Sequence, residues 1–261
     1  MRGLITLALF ALGACGSNRG SGGARSAAAR ASMAAIARGA FIAGGPARPV
    51  AGAEVAASPR HSRELQGFAI DRVPVTERDY SRFVEETARA VGAVAVDADA
   101  TVTPAQLARR ARPQRARAAL YSAHPAVLVS WDDARDYCAW RGARLAAEDE
   151  WEKALRGVDG RVFPWGDRVD PERINSRELG PGDTAPVLSY PRAASPFEVY
   201  DGAGNAAEWT STPGPSPDHF IVRGSAWNEP AALARLDRRR QLPRSARSVT
   251  LTFRCAATPP P

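Results

Sequence analysis

The amino-acid sequence predicts a mixed α+β domain, loop-rich and with little regular secondary structure. Two observations carry this. Amphipathic helical periods and short strand-like segments both occur before Gly157, and from Gly160 onward turn residues recur every few positions with no long helical period. With 261 residues, 44% of them hydrophobic, the chain can bury one sizeable core.

Charged residues make up 24% of the chain, as in a folded globular body rather than a disordered one. The net charge of +7 is almost entirely arginine, since Lys153 is the only lysine, and it reads as a composition bias of the whole chain. No nucleic-acid-binding motif accompanies the charge, so no nucleic acid is expected as a partner.

The N-terminus reads as a targeting segment. Arg2 precedes an apolar run from Leu4 to Ala14, well short of the ~20 residues that span a bilayer. The run ends in Leu12-Gly13-Ala14-Cys15, which resembles the bacterial lipoprotein lipobox. Residues 1–14 are then a signal peptide, Cys15 the lipidated residue, and the Gly, Ser, Ala and Arg of 15–32 a flexible tether. An ordinary secretory signal with a chance cysteine is the alternative. The lipobox implies an extracytoplasmic protein, lipid-anchored to the bacterial membrane at the periplasm or cell surface.

The folded domain is predicted over 33–257. It opens with a strand-turn pattern in AIARGAFIAGG, followed by a strand through Phe68 and Ile70. Thr76 and Asp79 form a capping box for a helix that places Tyr80, Phe83 and Val84 on one buried face. Residues 97–118 read as an insertion with a short basic helix that Pro113 stops, and Arg109, Arg110, Arg112, Arg115 and Arg117 as its solvated face. Ser130 caps a helix in WDDARDYCAW, on which Trp131, Ala134 and Cys138 share a face. A further helix in AAEDEWEKALRG has Trp151, Ala154 and Leu155 inside, acids in its first turn, and Lys153 and Arg156 at its negative end.

The sharpest local signal for chemistry is the run from Asp201 to Trp209. Asp201 and Glu208 bracket a Gly-rich turn whose carbonyls can point inward, an oxygen-rich arrangement that suits calcium. By residue type alone the preferred reading is an Asx turn with Glu208 capping nearby amides. His61, His124 and His219 show no metal-ligand spacing, and His124 before Pro125 reads as a structural hydrogen-bonder.

In order, GAFIAGG, FAIDRVPVTERDYSRFV, HPAVLVSWDDARDYCAWRGARL, EDEWEKALRG, FPWGD, Asn175, TAPV, YDGAGNAAEW, RGSAW and FRCAA cover the whole domain. This series resembles the formylglycine-generating enzyme, or sulfatase-modifying factor, family. The resemblance implies a variant of the C-type lectin fold. It also implies a calcium loop with Asp201 and Glu208 ligating by side chain and Gly204 and Ala206 by carbonyl, and a second, less complete site at Asn175 and the Ser176 carbonyl. It pairs Cys138 with Cys255 as a structural disulfide. The family's two catalytic cysteines fall on Glu229 and Ala234, so copper-dependent formylglycine formation is not expected. Trp227, Glu229, Arg235 and Arg238 become candidates for lining the groove. The implied function is an anchored, non-catalytic domain that binds a protein or peptide or serves envelope assembly. The alternative is a superfamily enzyme, an oxidoreductase or formylglycine-generating type, with unrecognised chemistry.

Replacing Cys15 by serine should leave unprocessed precursor and abolish labelling by a palmitate analogue, both read on a gel of membrane fractions.

Overall fold

A computed structural model of the chain describes residues 32–45, 59–90 and 99–258. The signal peptide 1–14, Cys15, the tether up to residue 31 and the start of the 97–118 insertion lie outside the described residues.

Three short antiparallel or mixed sheets carry the domain. Strand β1 (Met33–Ile36) pairs with β4 (Phe68–Asp71), with Met33 opposite Asp71 and Ile36 opposite Phe68. Strand β4 also pairs with β10 (Cys255–Ala257), which pairs with β5 (Arg144–Leu145), giving the order β1-β4-β10-β5. This sheet therefore joins the two ends of the domain. Strands β2 (Gly39–Ala43) and β3 (His61–Leu65) form a separate pair. The loop-rich second half contributes β6 (Ala207–Pro213), β7 (His219–Arg223), β8 (Arg239–Pro243) and β9 (Leu251–Phe253), in the order β8-β7-β6-β9 with β6 and β9 parallel.

The helices begin where the caps predict. In α1 (Glu77–Thr87) the Thr76 hydroxyl accepts from the Asp79 amide at 3.2 Å and donates to the Asp79 carboxylate at 2.6 Å. Tyr80 and Phe83 are buried and Val84 packs at the edge of the same cluster. Two helices, α2 (Pro104–Arg110) and α3 (Gln114–Tyr121), follow in the insertion. In α4 (Trp131–Trp140) Ser130 and Asp133 close a reciprocal capping box. In α5 (Glu148–Arg156) the Glu150 carboxylate accepts from the Ala147 amide at 2.9 Å.

Packing then assembles two main apolar clusters. One holds Tyr80, Phe83, Tyr137, Trp209 and Phe253, with Phe83 and Tyr137 edge to face at 5.6 Å. The other holds Ile70, Trp151, Leu155, Val199 and Leu236. Cys138 and Cys255 are disulfide-bonded across 117 residues of sequence, tying α4 to β10.

The short basic helix ahead of Pro113 is present as α2, ending at its C-cap residue Ala111, and Pro113 also stands at the N-cap position of a second helix, α3. One expectation needs correction: Arg110 and Arg117 are not on a solvated face. Arg110 is buried between Asp183 at 3.1 Å, the Thr184 hydroxyl and the ring of Tyr121 at 3.7 Å, and Arg117 is buried against Glu77 and Gln114. Lys153 and Arg156 do more than face the helix dipole. Both are buried, and the Lys153 ammonium donates to the Ala37 and Gly39 carbonyls at 2.9 Å each while burial lowers its pKa.

Cys138→Ala together with Cys255→Ala should lower the unfolding free energy by about 2–5 kcal/mol, because a cross-link this long removes much chain entropy from the unfolded state. Denaturant unfolding with and without the bridge measures it.

Candidate functional site

Two neighbouring places hold the residues singled out by the sequence. The first is the 201–208 turn. Asp201, Gly204 and Asn205 all adopt positive φ, at 58°, 81° and 67°. Gly204 is required twice over, since a Cβ there would also lie 2.6 Å from the Asn175 carbonyl oxygen.

Asn205 is the hub of this turn, and the sequence reading missed it. Its side-chain oxygen accepts from the Asn175 amide at 3.1 Å and the Ala185 N–H at 2.8 Å, and its own amide donates to the Ala185 carbonyl at 3.2 Å. Its backbone N–H donates to the Asn175 carbonyl, and its carbonyl accepts from Trp227. The one available signal was the Gly-Asn pair, which favours a left-handed turn.

The two carboxylates of the turn have different surroundings. Glu208 is forked by Arg254, with both oxygens at 2.6 Å from guanidinium nitrogens and both side chains fully buried. Asp201 has no such partner. Burial pushes its pKa up to about 6, against the Leu188 N–H bond at 2.9 Å and the charge of Arg254, with Glu208 adding to the rise. Two carboxylates thus face one guanidinium. Beside them, the buried Asn175 side-chain oxygen accepts no hydrogen bond, while the Ser176 carbonyl accepts from Gly180 at 2.8 Å. The surplus carboxylate of Asp201 at the 201–208 turn, and separately the unpartnered Asn175 oxygen at the second expected site, each fit a hard cation that takes mixed carboxylate, amide and carbonyl oxygens. Among the described residues no three His, Cys, Asp or Glu side chains converge as ligands, so such an ion depends on those neutral oxygens. Asp183 is turned away from it into the ion pair with Arg110.

The second place is the groove around Trp227 and Glu229. Glu229 accepts from the Ala226 N–H at 3.0 Å and pairs with Arg238 at 2.7 Å and Arg240 at 3.6 Å. Burial pushes its pKa up, but the Arg238 hydrogen bond and the charges of Arg240 and Arg238 outweigh this and hold it below its ordinary value. Arg235 does not line this groove as expected. It is buried against Asp237, at 2.5 and 2.9 Å, in a separate pair. Ala234 is also buried, in the second core cluster. Trp227 is not an open wall: it is 3% exposed and packs with Val127, Leu128 and Val249. Trp227 is therefore a packed side chain rather than the wall of an open groove.

His124 accepts or donates at the Thr184 hydroxyl at 3.0 Å and lies near Arg110; burial, then that charge, lower its pKa. A polar cavity of about 170 Å³ lies elsewhere, between Arg63, Glu148, Glu152, Arg223 and Arg239. Its acids and bases are already paired: Arg239 with Glu148, Arg223 with Glu152, and Arg63 with Asp149.

Residues 23–259 match the family model described as the sulfatase-modifying factor enzyme 1-like domain. The chain is 38% identical to bovine (Bos taurus) inactive C-alpha-formylglycine-generating enzyme 2, over 51% of this chain and 50% of that one. It is 33% identical to the formylglycine-generating enzyme of Streptomyces coelicolor, over 59% and 60%. It is also 31% identical to the Chlamydia trachomatis serine/threonine-protein kinase Pkn1, over 76% of this chain but 34% of the kinase. The chain spans about half the length of the inactive enzymes it matches. Among solved structures, PvdO from Pseudomonas aeruginosa superposes with a TM-score of 0.68 at 24% identity, covering 87% of this chain and 94% of that one. CarF superposes at 0.63 with 16% identity, over 87% and 98%. The α+β, C-type-lectin-like fold is that of these neighbours.

Glu229→Gln should cost about 1–3 kcal/mol at neutral pH by removing charge-assisted hydrogen bonds. Because the folded pKa lies below that of the unfolded chain, the stabilisation is present above the ordinary carboxylate pKa and is lost as pH falls through the folded value. The glutamine variant should accordingly show a flatter loss of stability on acidification, read from melting curves across the acid range.

Proposed function

The chain belongs to the sulfatase-modifying factor enzyme 1-like family, and from that premise we propose that it is a non-catalytic, extracytoplasmic domain, lipid-anchored through Cys15, that binds a protein or peptide or serves envelope assembly. The observation that carries this is the chemistry at the two positions where the resemblance puts catalytic cysteines. A thiolate pair there would hold copper and engage a substrate cysteine. This chain has instead Glu229, committed to Arg238, Arg240 and the Ala226 N–H, and Ala234, buried in the core. The chain has three cysteines; Cys138 and Cys255 are consumed by the disulfide, and Cys15 is assigned to the lipid. The relatives named inactive formylglycine-generating enzymes support the same reading.

A structural calcium ion is part of this reading. At the 201–208 loop Asp201 would supply the uncompensated charge, Glu208 would share its carboxylate between Arg254 and the ion, and Gly204 and Ala206 would contribute carbonyls. The second, less complete site would use Asn175, whose side-chain oxygen is unpartnered, and the Ser176 carbonyl. Calcium in this role would hold the turns in place and take no part in chemistry.

Two measurements test this reading. Chelation should lower the melting temperature, since an ion bound only by the native state stabilises it, and Asp201→Asn should remove that sensitivity. Purified protein given copper, oxygen and a peptide with the sulfatase-type Cys-x-Pro-x-Arg motif should leave the cysteine thiol unconverted. Appearance of the aldehyde, abolished by a substitution at Glu229, would replace this reading with the enzymatic one.

A further inference from the structure

Part of the insertion packs over the Trp227 cluster, and the manner of packing is informative. Val127, Leu128, Trp227 and Val249 form a small apolar cluster apart from the two main ones, and the partly buried side chains packed on it are Val102 and Leu107. Just ahead of them, the Asp99 carboxylate accepts from the Asn228 side-chain amide and the Thr250 hydroxyl, each at 3.1 Å. The same Asn228 amide donates to the Thr101 hydroxyl at 2.8 Å. Burial pushes the Asp99 pKa up, but hydrogen bonds from Thr101, Asn228 and Thr250 outweigh it and hold the acid ionised.

The segment is lightly held. Ala100, Thr101, Thr103, Pro104, Ala105 and Ala108 are exposed, and the first firmly buried side chain is Arg110 at the end of α2. Few buried contacts and exposed hydrogen bonds are the marks of a segment that opens well below the global unfolding free energy. Within α2 the Thr103–Gln106 capping box is local and would survive release.

The surface beneath has an unmet demand for negative charge. Arg238 and Arg240 share the single carboxylate of Glu229, and the buried Arg238 Nη1 and Arg240 Nε have no hydrogen-bond acceptor. The Asp99 charge acts on Arg240, but its hydrogen bonds go to Asn228 and Thr250.

We propose that the face formed by Trp227, Asn228, Glu229, Arg240 and Thr250 is a docking surface for a short acidic peptide segment that makes the turn of Asp99–Val102, and that Asp99–Leu107 is its resident, exchangeable occupant. The chemistry it selects is a carboxylate placed three residues ahead of an aliphatic side chain, as Asp99 stands to Val102. The carboxylate meets the amide, hydroxyl and guanidinium donors, and the aliphatic group covers Trp227. The inference rests on the binding-domain reading and names the partner class for it.

The test uses the full-length chain, unmodified and with Asp99→Ala plus Val102→Ser to weaken the resident segment. The probe is a fluorescent synthetic peptide with the sequence of residues 99–108. Binding is read by anisotropy, and folding of the variant by near-UV circular dichroism. The variant should bind the peptide at least about tenfold more tightly than the unmodified chain, a difference of roughly 1.4 kcal/mol. Asparagine in place of the peptide's aspartate should remove that gain. Native-state hydrogen exchange on the unmodified chain supplies a second, mutation-free measurement: residues 99–107 should exchange well ahead of α1 and α4. A folded variant that ignores the peptide, equal binding of the asparagine peptide, or exchange of 99–107 only on global unfolding would each overturn the proposal. None of these results touches the non-catalytic reading, which stands or falls on the aldehyde assay.

Discussion

The pair Arg254–Glu208, fully buried where the two four-stranded sheets meet, is the constraint from which the rest of the structure follows. Arg254 lies between β9 and β10 and so belongs to neither strand, yet its guanidinium forks Glu208 of β6 and donates to the carbonyls of Asp71 and Tyr200. Asp71 in turn accepts from the Cys255 N–H and from Arg141. Removing one partner of a buried ion pair costs several kcal/mol because the other charge is left without solvent. Each strand end is therefore held in one position. The disulfide and the 201–208 turn are carried along with it.

A second buried network does the same for α5. Glu152 pairs with Arg156 and with Arg223 of β7 and accepts from the Gly44 N–H. Helix α5 is thereby bound to the β2 end and to the β6–β9 sheet at once. Such networks favour one arrangement over its neighbours more than they add net stability, which suits a domain with so little regular structure. In a loop-rich fold the turns have few ladder hydrogen bonds to define them. Buried arginines that collect several carbonyls, such as Arg254 and Arg156, supply the missing definition. A planar guanidinium can satisfy a carboxylate and two or three carbonyls together.

Against this rigid frame, the groove is the place where charge is left incompletely satisfied. At a position where the resemblance sets a thiol, Glu229 links two arginines, and the local chemistry changes from redox to ionic. The buried Arg238 Nη1 and Arg240 Nε are left without acceptors, and Val102 and Leu107 pack over the Trp227 cluster. On the reading proposed above, such a surface would recognise rather than react.

What the sequence by itself determined was local. Helix starts at Thr76, Ser130 and Ala147, the inward stripes of Tyr80 and Phe83 and of Trp151 and Leu155, and the family motifs were legible because caps and periodicity depend on residues within one or two turns of each other. The pairing of Cys138 with Cys255 came with the family resemblance and is present in the structure. What only the tertiary structure decided was the partner of each charge. Arg110 and Arg117 have the same local pattern whether they face water or meet Asp183 and Glu77, and Asp183 lies 73 residues from Arg110. Asn205 becomes the hub of three loops and residues 99–107 fold over Trp227, both through contacts between distant segments, while Arg235 turns to its near neighbour Asp237 rather than to Glu229. Ion pairs and side-chain hydrogen bonds act over a few ångströms of space, so no spacing along the chain announces them.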